Sequence, residues 1–105
     1  MSVVFYNPLQ SIIDAAIKVS PDIDCIIQFD PRMGNGENAP PYGETAFDTD
    51  ATIVSINGNI PISVSLEILA HELAHVIARE NADHGDKWEA TFQGILNEYN
   101  RMDTP

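Results

Sequence analysis

His71-Glu72-Leu73-Ala74-His75 is an H-E-x-x-H run set inside an apolar helical repeat. Leu66, Leu69, Leu73, Val76 and Ile77 recur around it at helical spacing, which predicts one long helix with Ser63 or Ser65 as its cap. Residues four apart on a helix stand one above the other, so His71 and His75 aim two imidazoles at one point. The apolar stripe is centred roughly opposite them, so the helix packs by one face and offers the histidines from the other. A tetrahedral Zn²⁺ site needs this placement of its first two ligands. Glu72 lies about 100° round the helix from His71. There its carboxylate reaches a water at the metal without ligating the ion, and can take its proton as general base.

The chain holds three histidines, and the remaining one, His84, follows this helix closely. A connection of a few residues lets the chain turn back and present His84 to the same point. Three protein ligands with a fourth position left to water define a catalytic rather than a structural zinc site. Histidine is the commonest metal ligand, which favours His84 as the third. Glu80, Glu89 and Glu98 are the alternatives, since many enzymes of this motif take a glutamate from the following helix. Glu67, Asp83 and Asp86 are placed to orient a ligand imidazole, although each reads more readily as a surface or capping charge. Tyr42, Arg79 and Tyr99 are candidates to stabilise a developing oxyanion.

Outward from the motif, the remaining elements are two helices and three strands. Asn7-Pro8 has the form of a cap followed by a first-turn proline. Leu9, Ile12, Ile13, Ala16 and Ile17 then predict an amphipathic helix over 8–19, stopped by Pro21. Asp24 to Phe29 and Ala51 to Ile56 are β-branched apolar strands, and Glu44 to Phe47 is a short edge strand. The Gly-, Asn- and Pro-rich stretch 32–43 forms a long loop. Asp83 and Asp86 resemble a capping pair for a last helix whose apolar face is Trp88, Phe92, Ile95, Leu96 and Tyr99, with a loose tail after Asn100. The fold class expected is α+β, in a single domain over 1–105: a small twisted sheet against an N-terminal helix and the motif helix, then a C-terminal helix.

Composition sets the outer bounds. A chain of 105 residues with 44% apolar residues builds one modest core. The net charge is −11, and the five basic residues, Lys18, Arg32, Arg79, Lys87 and Arg101, are scattered. Phosphate binding needs clustered cations, so direct nucleic-acid contact is disfavoured. The acidity serves solubility or a cationic protein partner. No apolar run reaches membrane-spanning length, and Met1 to Tyr6 lacks the pattern of a signal peptide. One cysteine, Cys25, sits in an apolar run and reads as a small core residue. These features predict a cytoplasmic protein.

His71-Glu72-Leu73-Ala74-His75, followed by His84-Gly85-Asp86-Lys87-Trp88, resembles the SprT-like and WLM-type zinc metallopeptidases, which are minimal, gluzincin-like zincins. The resemblance extends over about 50 residues, from Thr52 to Tyr99. It implies that His84 is the third zinc ligand and that Trp88 packs beneath the site. It also implies that Thr52 to Ile56 is the edge strand along which an extended peptide or protein substrate lies. Ala78 and Asn81 depart from the metzincin pattern. The basic or zinc-ribbon regions with which SprT-like proteases hold DNA have no counterpart here, so a DNA-repair role does not follow. The competing expectation is a non-catalytic, metal-stabilised interaction domain with an acidic binding surface. A purely structural metal site has no need of Glu72, which favours the enzyme.

Overall fold

The computed structural model describes residues 1–33, 42–79 and 84–103. The elements are α1 (Gln10–Val19), β1 (Ile26–Asp30), β2 (Gly43–Phe47), β3 (Thr52–Asn57), α2 (Ile62–Ala78) and α3 (Asp86–Asp103). They form a small α+β domain in two layers. One layer is a mixed sheet of order β1-β3-β2, with β1 parallel and β2 antiparallel to the central β3. The other holds the three helices, with α3 packed against both α1 and α2. Among the described residues, no helix is long and apolar enough to cross a membrane.

The strand expected at the edge is the central one. Thr52–Asn57 is paired on both sides, and its buried face, Val54 and Ile56, sits in the core against α2. A peptide cannot add to a strand whose two edges are filled. The edge beside the motif helix is β2, which contacts α2 directly. The opposite edge is β1, whose Gln28 side chain donates to Ser55 Oγ (3.0 Å) on the helix-free face of the sheet.

α2 is more enclosed than an amphipathic surface helix. Leu69, Leu73 and Val76 are buried as the stripe predicts, but so are Ala70, Ala74 and Ala78, because sheet, α1 and α3 cover it from several sides. The small alanines let these neighbours approach closely. Neither Ser63 nor Ser65 caps the helix. Pro61 stands at the cap position, and the buried Ser65 is already in the first turn, its hydroxyl donating to the Pro61 carbonyl (3.2 Å). Proline is suited to a helix start, where its missing N–H loses no bond. The helix ends at Arg79, which has a left-handed φ of 52°.

At the N-terminus, Asn7 Oδ1 accepts from the Leu9 N–H (3.0 Å) and Asn7 O from Gln10 N–H (3.1 Å), so a turn over 7–10 precedes the helix proper. Ala15 takes the buried position expected of Ile17, which is exposed. α3 continues through Asp103, past the expected end at Asn100. Asp83, Glu80 and most of the long loop lie outside the described residues.

Gly43 marks the closest approach of β2 to α2. A Cβ built there stands 2.8 Å from Ile68 Cγ2 and 3.2 Å from Glu72 Cγ. Gly43→Ala is therefore expected to destabilise the fold by about 1–3 kcal/mol, the range for overpacking a tight contact. Thermal unfolding of the purified variant measures this, and an unchanged Tm would show that Ile68 yields freely.

Candidate metal centre

The helical spacing of α2 sets His71 and His75 on one face, both half-buried. His84 comes to them from just before α3. Its Nε2 lies 3.1 Å from His71 Nε2 and 3.1 Å from His75 Nε2. The three ligand atoms form a single group that can hold a metal ion, and Glu89 and Glu98 are not in it. Glu98 is taken up by Arg101 (2.8 Å), and Glu89 is exposed on α3.

A neutral imidazole nitrogen offers one proton or one lone pair, not both. His84 Nε2 therefore cannot satisfy two neighbours by hydrogen bonding. Three nitrogens about 2.0–2.1 Å from a tetrahedral zinc ion stand about 3.3 Å apart. Both separations from His84 are close to that value, and the donor set fits a cation held by the three rings. Burial, then the charge of the other rings, lowers the pKa of His75 to about 4, and burial lowers that of His71. Both effects hold the rings in the neutral form that a metal requires.

Trp88 forms the floor. It is buried, its ring centroid is 4.4 Å from that of His84 and 4.8 Å from that of His71, and its Nε1 donates to the His71 carbonyl (3.2 Å). Phe92, one turn on, stacks against it at 5.0 Å. These contacts lock α3 onto α2 at the height of His71, so the helix pairing and the convergence of the histidines depend on one another.

Glu72 is buried beside the triangle and is not part of it. Its Oε2 is 3.9 Å from His71 Nε2, while Oε1 accepts a hydrogen bond from Thr45 Oγ1 at 2.8 Å. Thr45 Oγ1 also lies 3.2 Å from the Glu72 carbonyl. Burial raises the pKa of Glu72, against the lowering effect of the Thr45 bond. A carboxyl shifted toward neutrality is better matched to taking and giving a proton near pH 7.

A cleft runs between β2 and α2. Tyr42 and Ile68 wall one part of it and Thr45 and Phe47 another, with Gly43, His71 and Glu72 common to both and His75 in the second. Of the expected oxyanion donors, Tyr42 borders this cleft. Tyr99 lines a separate depression with Ile12 and Leu96, and Arg79 stands at the exposed end of α2. Glu67 is close enough to His71 to act on it electrostatically. Thr45 and Gly43 have no sequence signal, because their roles depend on which strand lies beside α2. Cys25 packs at the edge of the core and is unpaired by any disulfide among the described residues.

No protein-family model, curated protein or solved structure matches the chain. The site therefore has to be understood from its own geometry.

That geometry predicts a ranking of ligands. His84→Ala should weaken zinc binding far more than Glu89→Ala or Glu98→Ala, measured by competition with a chromophoric chelator. Loss of metal on either glutamate substitution, with His84→Ala unaffected, would assign the third ligand to the glutamate instead.

Proposed function

We propose that the protein is a zinc-dependent metallopeptidase of the minimal zincin type, in which His71, His75 and His84 hold the metal and Glu72 is the general base. One observation carries this reading: a buried carboxylate adjoins the converging imidazole nitrogens without joining them. A site built only to stabilise the fold has no use for such a group, whereas hydrolysis needs it. Zinc held by the histidines supplies Lewis acidity, acidifying a water and polarising a peptide carbonyl.

The protein's own groups do the rest. Thr45 fixes Glu72 Oε1 and so orients the carboxylate, with Oε2 on the His71 side to receive and pass on a proton. Trp88 and Phe92 keep the imidazoles in place from below. Tyr42, at the cleft wall, is the candidate donor to the oxyanion. Among the described residues β2 is an edge strand, and its outer edge accepts an extended polypeptide by strand addition, which sets a peptide bond across the cleft. The single cysteine suits a reducing, cytoplasmic setting.

The test is cleavage of an unstructured polypeptide by zinc-loaded protein, followed by mass spectrometry. Cleavage is expected to stop when a chelator removes the metal and to return with about one zinc per chain, as a single tetrahedral site requires. Activity that survives complete removal of metal would reject the proposal.

A further inference from the structure

The cleft also carries information about what it takes. β2 alternates, as strands do. Gly43, Thr45 and Phe47 line the metal cleft, whereas Glu44 and Ala46 are exposed on the opposite, helix-free face of the sheet. A peptide added to the outer edge of β2, an edge strand among the described residues, repeats that alternation. Its side chains on the cleft face meet Tyr42 and Ile68 at one end and the half-exposed ring of Phe47 at the other. Its intervening side chains lie beside Glu44, where opposite charge stabilises a cross-strand pair and like charge opposes it.

Among the described residues, the charged groups other than histidines that act on His71 and Glu72 are Glu67 and Glu44, both negative. Asp48 and Asp50, both exposed, follow at the end of β2. The chain as a whole carries −11. Apolar walls on the cleft face and the Glu44 carboxylate on the other together describe the complementary strand.

We propose that the preferred substrate is an extended polypeptide segment in which apolar side chains alternate with lysine or arginine, the apolar ones entering the cleft and the cationic ones passing beside Glu44. This inference rests on the peptidase reading for the register of the bound chain, but its test separates the two. The probes are three soluble peptides of equal length with Gly-Ser flanks, alternating leucine with lysine, leucine with glutamate, and serine with lysine. Binding is measured by fluorescence anisotropy to zinc-loaded Glu72→Gln, and cleavage with zinc-loaded wild type.

The leucine–lysine peptide is expected to bind about threefold to tenfold more tightly than the leucine–glutamate peptide, the scale of exchanging an attractive for a repulsive cross-strand pair. It should also bind more tightly than the serine–lysine peptide, which lacks the apolar contacts. Two charge reversals then separate a local effect from net charge. In the Glu72→Gln background, Glu44→Lys should invert the lysine preference. Asp22→Lys makes the same change in net charge from an exposed position before β1, at the far edge of the sheet, and should leave most of the preference in place.

Equal effects of the two reversals would overturn the inference in favour of a general attraction of cations. Cleavage without preference would also overturn it, while leaving the peptidase reading intact. The expected binding preference without any cleavage would uphold the inference and count against the peptidase. Absence of both binding and cleavage for all three peptides would overturn both.

Discussion

Glu72→Gln is expected to keep its zinc and its fold while losing peptidase activity by a factor on the order of 10² or more, the usual contribution of a positioned general base. The substitution preserves shape almost completely. The amide retains an oxygen that can accept from Thr45 Oγ1, the contact that measures 2.8 Å in the parent protein. It removes the ability to accept a proton. Because Glu72 lies outside the group of converging ligand atoms, metal content should not change. Turnover on an unstructured polypeptide and metal analysis of the same sample decide the matter together. Equal turnover by the variant and the wild type would reject Glu72 as the base, and loss of zinc would show that it is a ligand.

His75→Ala is expected to have the largest effect on the metal itself. It removes one of three nitrogens and leaves two imidazoles, which hold zinc poorly. Zinc at about a thousandfold excess over its Kd stabilises a folded protein by about 4 kcal/mol. At this chain length each kcal/mol moves Tm by about 4–8 °C. The wild type should therefore melt at least ~15 °C higher with saturating zinc than after chelation, by these two relations. The variant should show almost none of that difference. A variant that retains full zinc occupancy and the full shift would rule out the proposed site.

Much of the candidate site is legible along the chain because it is local. The spacing of His71 and His75 needs only helical periodicity, and His84 and Trp88 follow within a short, marked stretch. What escapes is whatever depends on the partner of an element. Hydrophobicity marks Thr52–Asn57 as a strand, but strand order is set by which edges the loops can reach and how both faces are covered. The family resemblance puts this strand at the edge when it is the centre, whereas 44–47, an edge strand by its residues, is an edge of the sheet as β2. Thr45 and Gly43 escape for the same reason: an isolated threonine and a glycine acquire meaning only once β2 is laid against α2. α3 runs on past Asn100 because Arg101, Met102 and Asp103 carry no breaker, and the Glu98–Arg101 pair bridges its last turns. Ser65 has the chemistry of a cap, but Pro61 already starts the helix and places Ser65 inside it.

Trp88, described above as the floor of the candidate metal centre, is the only tryptophan in the chain. Its indole lies against all three imidazoles, with centroid separations of 4.4, 4.8 and 5.5 Å. The molecule is thus supplied with its own optical gauge at the place of interest. Emission excited at the red edge of the ultraviolet band reports on one indole and its immediate neighbours. Titration with zinc should alter its intensity and wavelength, and a paramagnetic ion such as cobalt seated between the histidines should quench it. Occupancy can therefore be followed in real time on unlabelled protein, without a dye, a tag or an assay of turnover.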